Sequence, residues 1–314
     1  MSSDPTEPTA VSPDRPKRVS VFEKGTVRQI RKTVVFVDGI EHCLNGQVVY
    51  FASGAKGLVM GFTDEQTQVL LLNSGDDIQI GEQVTAYFEP FSVPVGKNYV
   101  GRVVNALCEP LDGRGPIEAD DRVACFREAP GVLDRQPLTE VLETGIRMID
   151  GSIPIGKGQR ELVIGDRMTG KTTIGMDAIL NQAGKDMVCI YCCIGKLSSA
   201  LEAVVDVFRR KKAFEYTIVV QALASASQGE QYLAPYTAAS LGDYFMERGQ
   251  DVFIVFDDLS KHAWCYRELS LLLERSPGRE AYPGDIFYLH SRLLERAGRL
   301  SEELGGGCVD IVFV

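Results

Sequence analysis

Gly165-Asp166-Arg167-Met168-Thr169-Gly170-Lys171-Thr172 satisfies the pattern G-x-x-x-x-G-K-[ST] at every fixed position, and Thr173 follows it. The chemistry such residues perform is the gripping of a polyphosphate. Gly165 and Gly170 let the backbone turn so that successive N–H groups point inward, and a helix opening at Lys171 brings its positive end to the same spot. Lys171 then reaches the β- and γ-phosphates, Thr172 carries a hydroxyl suited to Mg²⁺, and Thr173 is placed for the α-phosphate. The whole run from Gly165 to Thr173, with Asp166, Arg167, Met168 and Thr169 between, is the candidate nucleotide-binding segment.

A grip of this kind works only between a strand and a helix. Leu162-Val163-Ile164 has strand length and apolarity, and Ile174, Ala178 and Ile179 fall on one side of a helix after the loop. The metal's second partner should be an acid at the carboxyl end of another buried strand. Val252-Phe-Ile-Val-Phe256 followed by Asp257-Asp258 supplies one: five apolar residues in a row suit a parallel strand covered on both faces. Thr172 and Asp257, the latter acting through a water, are therefore the expected metal-side groups. Asp258 is read as a helix N-terminal residue or a contact to the loop, since Leu259-Ser260 leads into the next helix.

The surrounding 314 residues have the composition of an ordinary globular chain, 45% hydrophobic and 24% charged, enough for two cores. A net charge of -10 argues against a general nucleic-acid binder. The start has no apolar signal segment, and no apolar run approaches the roughly 20 residues that span a bilayer. Eight cysteines show no paired framework; Cys189-Ile-Tyr-Cys192 has C-x-x-C spacing without a second pair or histidines, and reads as buried thiols rather than a metal site.

Along the chain, residues 1–22 are rich in proline and polar residues and read as a disordered tail. Residues 23–92 carry short β-rich runs, Thr33–Val37, Gln47–Phe51, Gly57–Met60 and Gln68–Leu72, separated by Asp38-Gly39, Asn45-Gly46 and Ser74-Gly75, a pattern that predicts a small barrel. From 93 to 314 strands and helices alternate. Gly101–Leu107, Val188–Gly195, Tyr216–Val220 and Val252–Phe256 are the expected strands. Leu197–Lys212, with its stripe Leu201, Val204, Val205 and Phe208, is an expected helix, as are Pro235–Arg248, Ser260–Glu274 and Gly284–Leu304. This is the α/β class, a parallel sheet with crossover helices.

Gly165–Thr172, Gln231-Tyr-Leu-Ala-Pro-Tyr236, Asp257-Asp-Leu-Ser-Lys261, Pro154–Leu162, Gly101–Ala106 and above all the twenty residues Pro277–Arg296 resemble the alpha subunit of the rotary F-type ATP synthase. The likeness runs from about Gly25 to Gly307. It implies a small N-terminal β-barrel followed by a P-loop (RecA-like) nucleotide-binding domain, with the family's C-terminal helical domain missing. It also implies a subunit that binds Mg-ATP or ADP without turning it over. Three copies would alternate with three catalytic beta subunits in a hexamer around a central gamma stalk, held by a peripheral stalk with its delta subunit, making ATP at the expense of a transmembrane proton or sodium gradient. Membrane contact would be indirect, at the cytoplasmic face, with no nucleic acid bound.

In the catalytic sister a glutamate follows the glycine that ends the strand after the P-loop helix and orients the attacking water. Here Gly195 is followed by Lys196, which cannot accept a proton at neutral pH, so no catalytic residue is expected in this chain. Alpha subunits usually carry glutamine there. Lys196 therefore either stands beside the γ-phosphate and tightens binding or swings to solvent. Met168 replaces another usual glutamine and removes an amide from the site, whereas Arg167 matches and is carried over as a phosphate-side cation. Cys308–Val314 does not resemble the family's continuation, so no arginine reaching a neighbouring site can be named, and a fragment, a frameshift or a degenerate copy all fit the text. Two other functions suit parts of the pattern. One is a hexameric RNA helicase of the transcription-termination type, opposed by the acidic balance and the lack of an aromatic-plus-basic platform in the barrel. The other is a remnant that holds nucleotide but joins no ring.

Overall fold

A computed structural model describes residues 22–63, 65–73 and 78–314. The tail expected over the first 22 residues lies outside the described residues except for Phe22, and so does the Ser74-Gly75 turn.

Six antiparallel strands close into a barrel: β1 (Phe22–Arg31), β2 (Val34–Asp38), β3 (Gln47–Phe51), β4 (Lys56–Phe62), β5 (Thr67–Leu71) and β6 (Gln83–Pro90). Their order is β1-β2-β5-β4-β3-β6, and β6 returns to pair with β1. Four of these strands correspond to the apolar runs in the sequence. The other two, β1 and β6, are mixed polar strands that turn only alternate residues such as Val27, Val84 and Ala86 into the barrel. Period-2 burial with an outer face of Glu, Lys, Arg and Gln hides a strand from a search for apolar blocks.

Beyond the barrel come β7 (Ser92–Val95), β8 (Val103–Asn105) and β9 (Asp121–Ala124), then β10 (Val141–Leu142), α1 (Arg147–Ser152) and β11 (Ile155–Gly156). The main sheet then takes shape from β12 (Arg160–Leu162), β13 (Met187–Ile194), β14 (Thr217–Ala222), β15 (Asp251–Asp257), β16 (Gly298–Arg299) and β17 (Cys308–Phe313). Its order is β12-β17-β15-β13-β14-β8, with every neighbouring pair on that path parallel; β16 adds an antiparallel pairing to β17. The helices are α2 (Lys171–Leu180), α3 (Ser198–Arg210), α4 (Gln228–Met246), α5 (Leu259–Leu272) and α6 (Ile286–Leu294).

Because residues alternate across a strand, β13 and β15 feed two cores. Val188, Ile190, Cys192, Val252, Ile254 and Phe256 meet α4, while Cys189, Tyr191, Cys193, Phe253 and Val255 join Ala178 and Ile179 of α2 on the opposite face. All eight cysteines are free and buried, Cys189 and Cys192 among them.

Two expectations need correction. The helix expected from Pro235 starts at Gln228, with Pro235 inside it. Ser227 caps it by accepting from the Glu230 N–H at 3.0 Å, and Ser227-x-x-Glu230 is a capping-box pattern that outweighs proline's usual preference for the first turn. Gly229 lies so close to β5 that a Cβ there would stand 2.0 Å from the Leu71 carbonyl oxygen, and Ser227 Oγ donates to Leu72 O at 2.9 Å; these contacts staple the barrel to α4. The helix expected to run to Leu304 ends at Leu294. Its chain turns so that Arg296, 2% exposed, can pair with Asp243 of α4 at 2.7 Å and donate to Cys125 O at 3.0 Å, after which Gly298 enters the sheet. Cys308–Phe313 forms β17, which lies between β12 and β15, pairing Glu161 with Val312 and Ile254 with Ile311.

In the middle of β17 sits a buried acid. Burial pushes the Asp310 carboxyl up to about 7, helped by Asp251 and opposed by the Gly158 and Gln159 amides that donate toward it. The folded protein therefore binds this proton more tightly than the unfolded chain, and stability present below about pH 4 is lost as the pH rises through 7. Asp310→Asn should flatten that decline, melting several degrees above the parent at pH 8 and with it at pH 4; parallel curves for the two proteins would refute the assignment.

Candidate nucleotide-binding site

Parallel strands bring their carboxyl ends to one edge of the sheet, where ligands of open α/β folds bind. The register of β13 with β15 sets Cys193 opposite Asp257, and Lys196 lies two residues past the end of β13. Tyr191, Cys193, Val255 and Asp257 share one face by alternation, the face that α2 covers. Asp257 thus points toward Thr172, the second residue of α2.

The loop that delivers α2 has the expected form. Gly170 takes φ 93°, a left-handed conformation natural to glycine, immediately before the first helical residue. A Cβ on Gly165 would come within 2.8 Å of Thr169 Oγ1. Thr169 Oγ1 donates to Asp166 O at 2.8 Å, and Lys171 Nζ folds back to donate to Gly165 O and, at 3.1 Å, to Asp166 O. The lysine therefore rests on its own loop and must release two carbonyls to reach a phosphate. Asp166, Arg167 and Thr173 are exposed, and Met168, at φ 64°, is wholly exposed.

The supporting strand is not where the apolar run placed it. Strand β12 covers Arg160–Leu162, and Ile164 is 84% exposed. Among the described residues it is an edge strand paired with β17 alone; Val163 N still donates to Phe313 O at 2.8 Å, and the chain leaves the sheet after it.

The two groups expected beside a metal are brought to one point, and the point is taken. Lys196 Nζ forms an ion pair with Asp257 Oδ1 and donates to Thr172 Oγ1 at 2.9 Å. Asp257 is fully buried and the Lys196 side chain only 19% exposed, so the lysine does not swing to solvent. Asp257 Oδ2 accepts from the Tyr191 hydroxyl at 2.6 Å, while Oδ1 accepts no hydrogen bond among the described residues and is met there by the ammonium as an ion pair. Burial and the adjacent Asp257 carboxylate push Tyr191 far above the usual phenol range. Asp258 turns away to cap α5, accepting from the Lys261 N–H at 2.6 Å, as one of its two expected roles required; burial and Asp257 raise its carboxyl, against the pull of that amide and Lys196.

Magnesium needs near-octahedral oxygens at about 2.1 Å, and an ammonium hydrogen-bonded to the same hydroxyl and paired with the same carboxylate leaves no room for it. With Lys196 seated, the residues present do not fit a divalent ion at Thr172 and Asp257. Sequence reasoning singled out each of these three residues; what it missed was Tyr191, whose place two residues before Cys193 on the α2 face of β13 is the signal that would have found it.

A P-loop at the carboxyl edge of a parallel sheet, behind a six-stranded barrel, defines a nucleotide-binding subunit of the rotary-ATPase kind in fold. Residues 145–314 match the nucleotide-binding domain of the ATP synthase alpha/beta family, and the chain belongs to that family. The match runs through residue 314, which overturns the expectation that the likeness ends at Gly307. The chain is 51% identical over 289 residues to the ATP synthase subunit alpha of Clostridium botulinum strain Hall, covering 92% of this chain and 57% of that one. It is 49% identical over 292 residues to its counterpart in Clostridium acetobutylicum, covering 93% of this chain and 58% of the other. The counterpart in Clostridium kluyveri is 49% identical over 291 residues. The chain thus spans little more than half the length of the curated relatives it matches. Among the described residues no helix is long and apolar enough to cross a membrane.

Tyr191→Phe removes the donor to Asp257 Oδ2 and leaves a buried carboxylate oxygen unpaired, which costs about 2 kcal/mol. Its thermal midpoint should fall by several degrees at pH 7, and an unchanged midpoint would show that the phenol does not support the carboxylate.

Proposed function

We propose that this chain is an alpha-type, non-catalytic nucleotide-binding subunit of a rotary ATP synthase. Gly165–Thr173 hold ATP or ADP in this reading: Lys171 leaves its loop carbonyls for the β- and γ-phosphates, the amides of the loop and of the first turn of α2 surround the phosphates, and Arg167 adds a second cation. Residues 23–92 serve as the barrel that joins the subunits of a ring, and 93–314 as the nucleotide domain.

The observation that carries the passive role is Lys196. Hydrolysis needs a group that orients and deprotonates water opposite the γ-phosphate, and the position after Gly195 holds an ammonium paired with Asp257. A cation there stabilises phosphate charge and activates no water. Mg²⁺ reaches Thr172 and Asp257 only by displacing Lys196, so the reading concerns retention of nucleotide rather than its turnover.

The partners follow from the relatives' assignment as alpha subunits: catalytic beta subunits alternating with this chain, a gamma stalk within the ring and a delta-containing peripheral stalk outside it. The ring would lie at the cytoplasmic face of a membrane as a peripheral assembly, coupled to a proton or sodium gradient.

The purified chain should retain ATP through a desalting column and release no phosphate, and Lys171→Ala should lose that retention; steady phosphate release by the parent, or retention by the variant, would defeat the reading. Mixed with a catalytic beta subunit, the chain should enter an alternating hexamer by native mass measurement. Monomer alone at micromolar concentration would favour a remnant that holds nucleotide without assembling.

A further inference from the structure

Beside a P-loop, a divalent ion normally bridges the loop's hydroxyl, the triphosphate and water held by the acid of a neighbouring strand. In this chain the hydroxyl is Thr172, the acid is Asp257, and one side-chain nitrogen already touches both. We propose that the Lys196 ammonium is the resident counter-ion of the nucleotide pocket and takes the place of the divalent cation, so that the chain binds ATP or ADP without Mg²⁺. The inference rests on the reading of Gly165–Thr173 as a nucleotide site.

Four observations carry it. The ammonium is held by its backbone as well as its tip: Gly195 N donates to Ala222 O at 2.7 Å and Ala224 N to Lys196 O at 2.9 Å, which fixes the root of the side chain. The Asp257 carboxylate is wholly buried, and among the described residues Oδ1 faces no donor but the ammonium, so removing Lys196 would strand a charge in the core. An ammonium has three donors; Thr172 Oγ1 accepts one and the Asp257 carboxylate holds the group as an ion pair, which leaves donors for a phosphate oxygen. Lys171 stands on the same loop, so a divalent ion arriving there would push the displaced Lys196 into a pocket that already holds a second cation. The arrangement supplies one positive charge from the chain itself where a metal would supply two.

The test uses the full 314-residue chain, stripped of nucleotide, and measures ATP affinity by calorimetry with Mg²⁺ and with EDTA. The expected dissociation constants agree within about threefold, and Mn²⁺ added with ADP gives no stoichiometric bound-ion signal by electron paramagnetic resonance. Lys196→Gln, which replaces the ammonium by a neutral amide, should bind one Mn²⁺ per nucleotide and lose about tenfold or more in ATP affinity when EDTA is present. Binding by the parent only in Mg²⁺, or a stoichiometric Mn²⁺ signal from it, would overturn the inference while leaving the nucleotide site intact. Absence of ATP binding under both conditions would instead overturn the nucleotide reading and the inference with it. Should Lys196→Gln fail to fold, the Mn²⁺ measurement on the parent decides the matter alone.

Discussion

The constraint on which the site depends is the parallel register of β13 with β15. It puts Cys193 level with Asp257, so the chain leaving β13 can return a side chain across the sheet's carboxyl edge to the acid ending β15. The alternation of β-strand side chains then aims Asp257 at α2 instead of α4. Once those two facts are set, Thr172, Lys196, Tyr191 and Asp257 converge whatever the loop between them does. A slip of one residue in β15 would turn Asp257 into the apolar core against α4 and leave Lys196 without a partner.

Much of this was legible beforehand, because the signals were local. The loop motif, the run Val252–Phe256 and its terminal acid each declare their place through residues adjacent in sequence. What escaped were features decided by partners far away in the chain. Strands β1 and β6 are polar on the outside and look like strands only once the barrel closes. Pro235 has the local signature of a helix start, yet the Ser227–Glu230 cap and the contact of Gly229 with Leu71 extend the helix backward. The run through Arg296 keeps helical periodicity beyond Leu294, yet the need to satisfy a buried guanidinium at Asp243 bends the chain away. Likewise, whether Lys196 faced water or the acid could not be judged from its neighbours. A lysine's own preference is for solvent, and only a buried carboxylate lacking another donor reverses it.

The chain also carries ionisable groups in its interior whose burdens differ in kind. Arg296 forms a buried ion pair with Asp243 of α4, with hydrogen bonds to Ser240 and Cys125 taking up further donors of the guanidinium. Asp310 has no cation in contact with it among the described residues; backbone amides of Gly158 and Gln159 support it, and burial pushes its carboxyl toward holding a proton. Asp257 is of the first kind, and its cation belongs to the pocket. The same ammonium thus meets a folding requirement and confers the pocket's charge, so its chemistry cannot be altered without disturbing the core.

The phosphate loop hangs from β12, three residues long and bordered by a neighbour on one side only. A border strand so short is held by few bonds, and its amides are the ones that open first as a sheet breathes. Whatever occupies the loop therefore draws the frayed margin of the sheet inward. A filled pocket would register as slowed deuterium uptake along Arg160–Leu162, some distance from any atom the ligand touches.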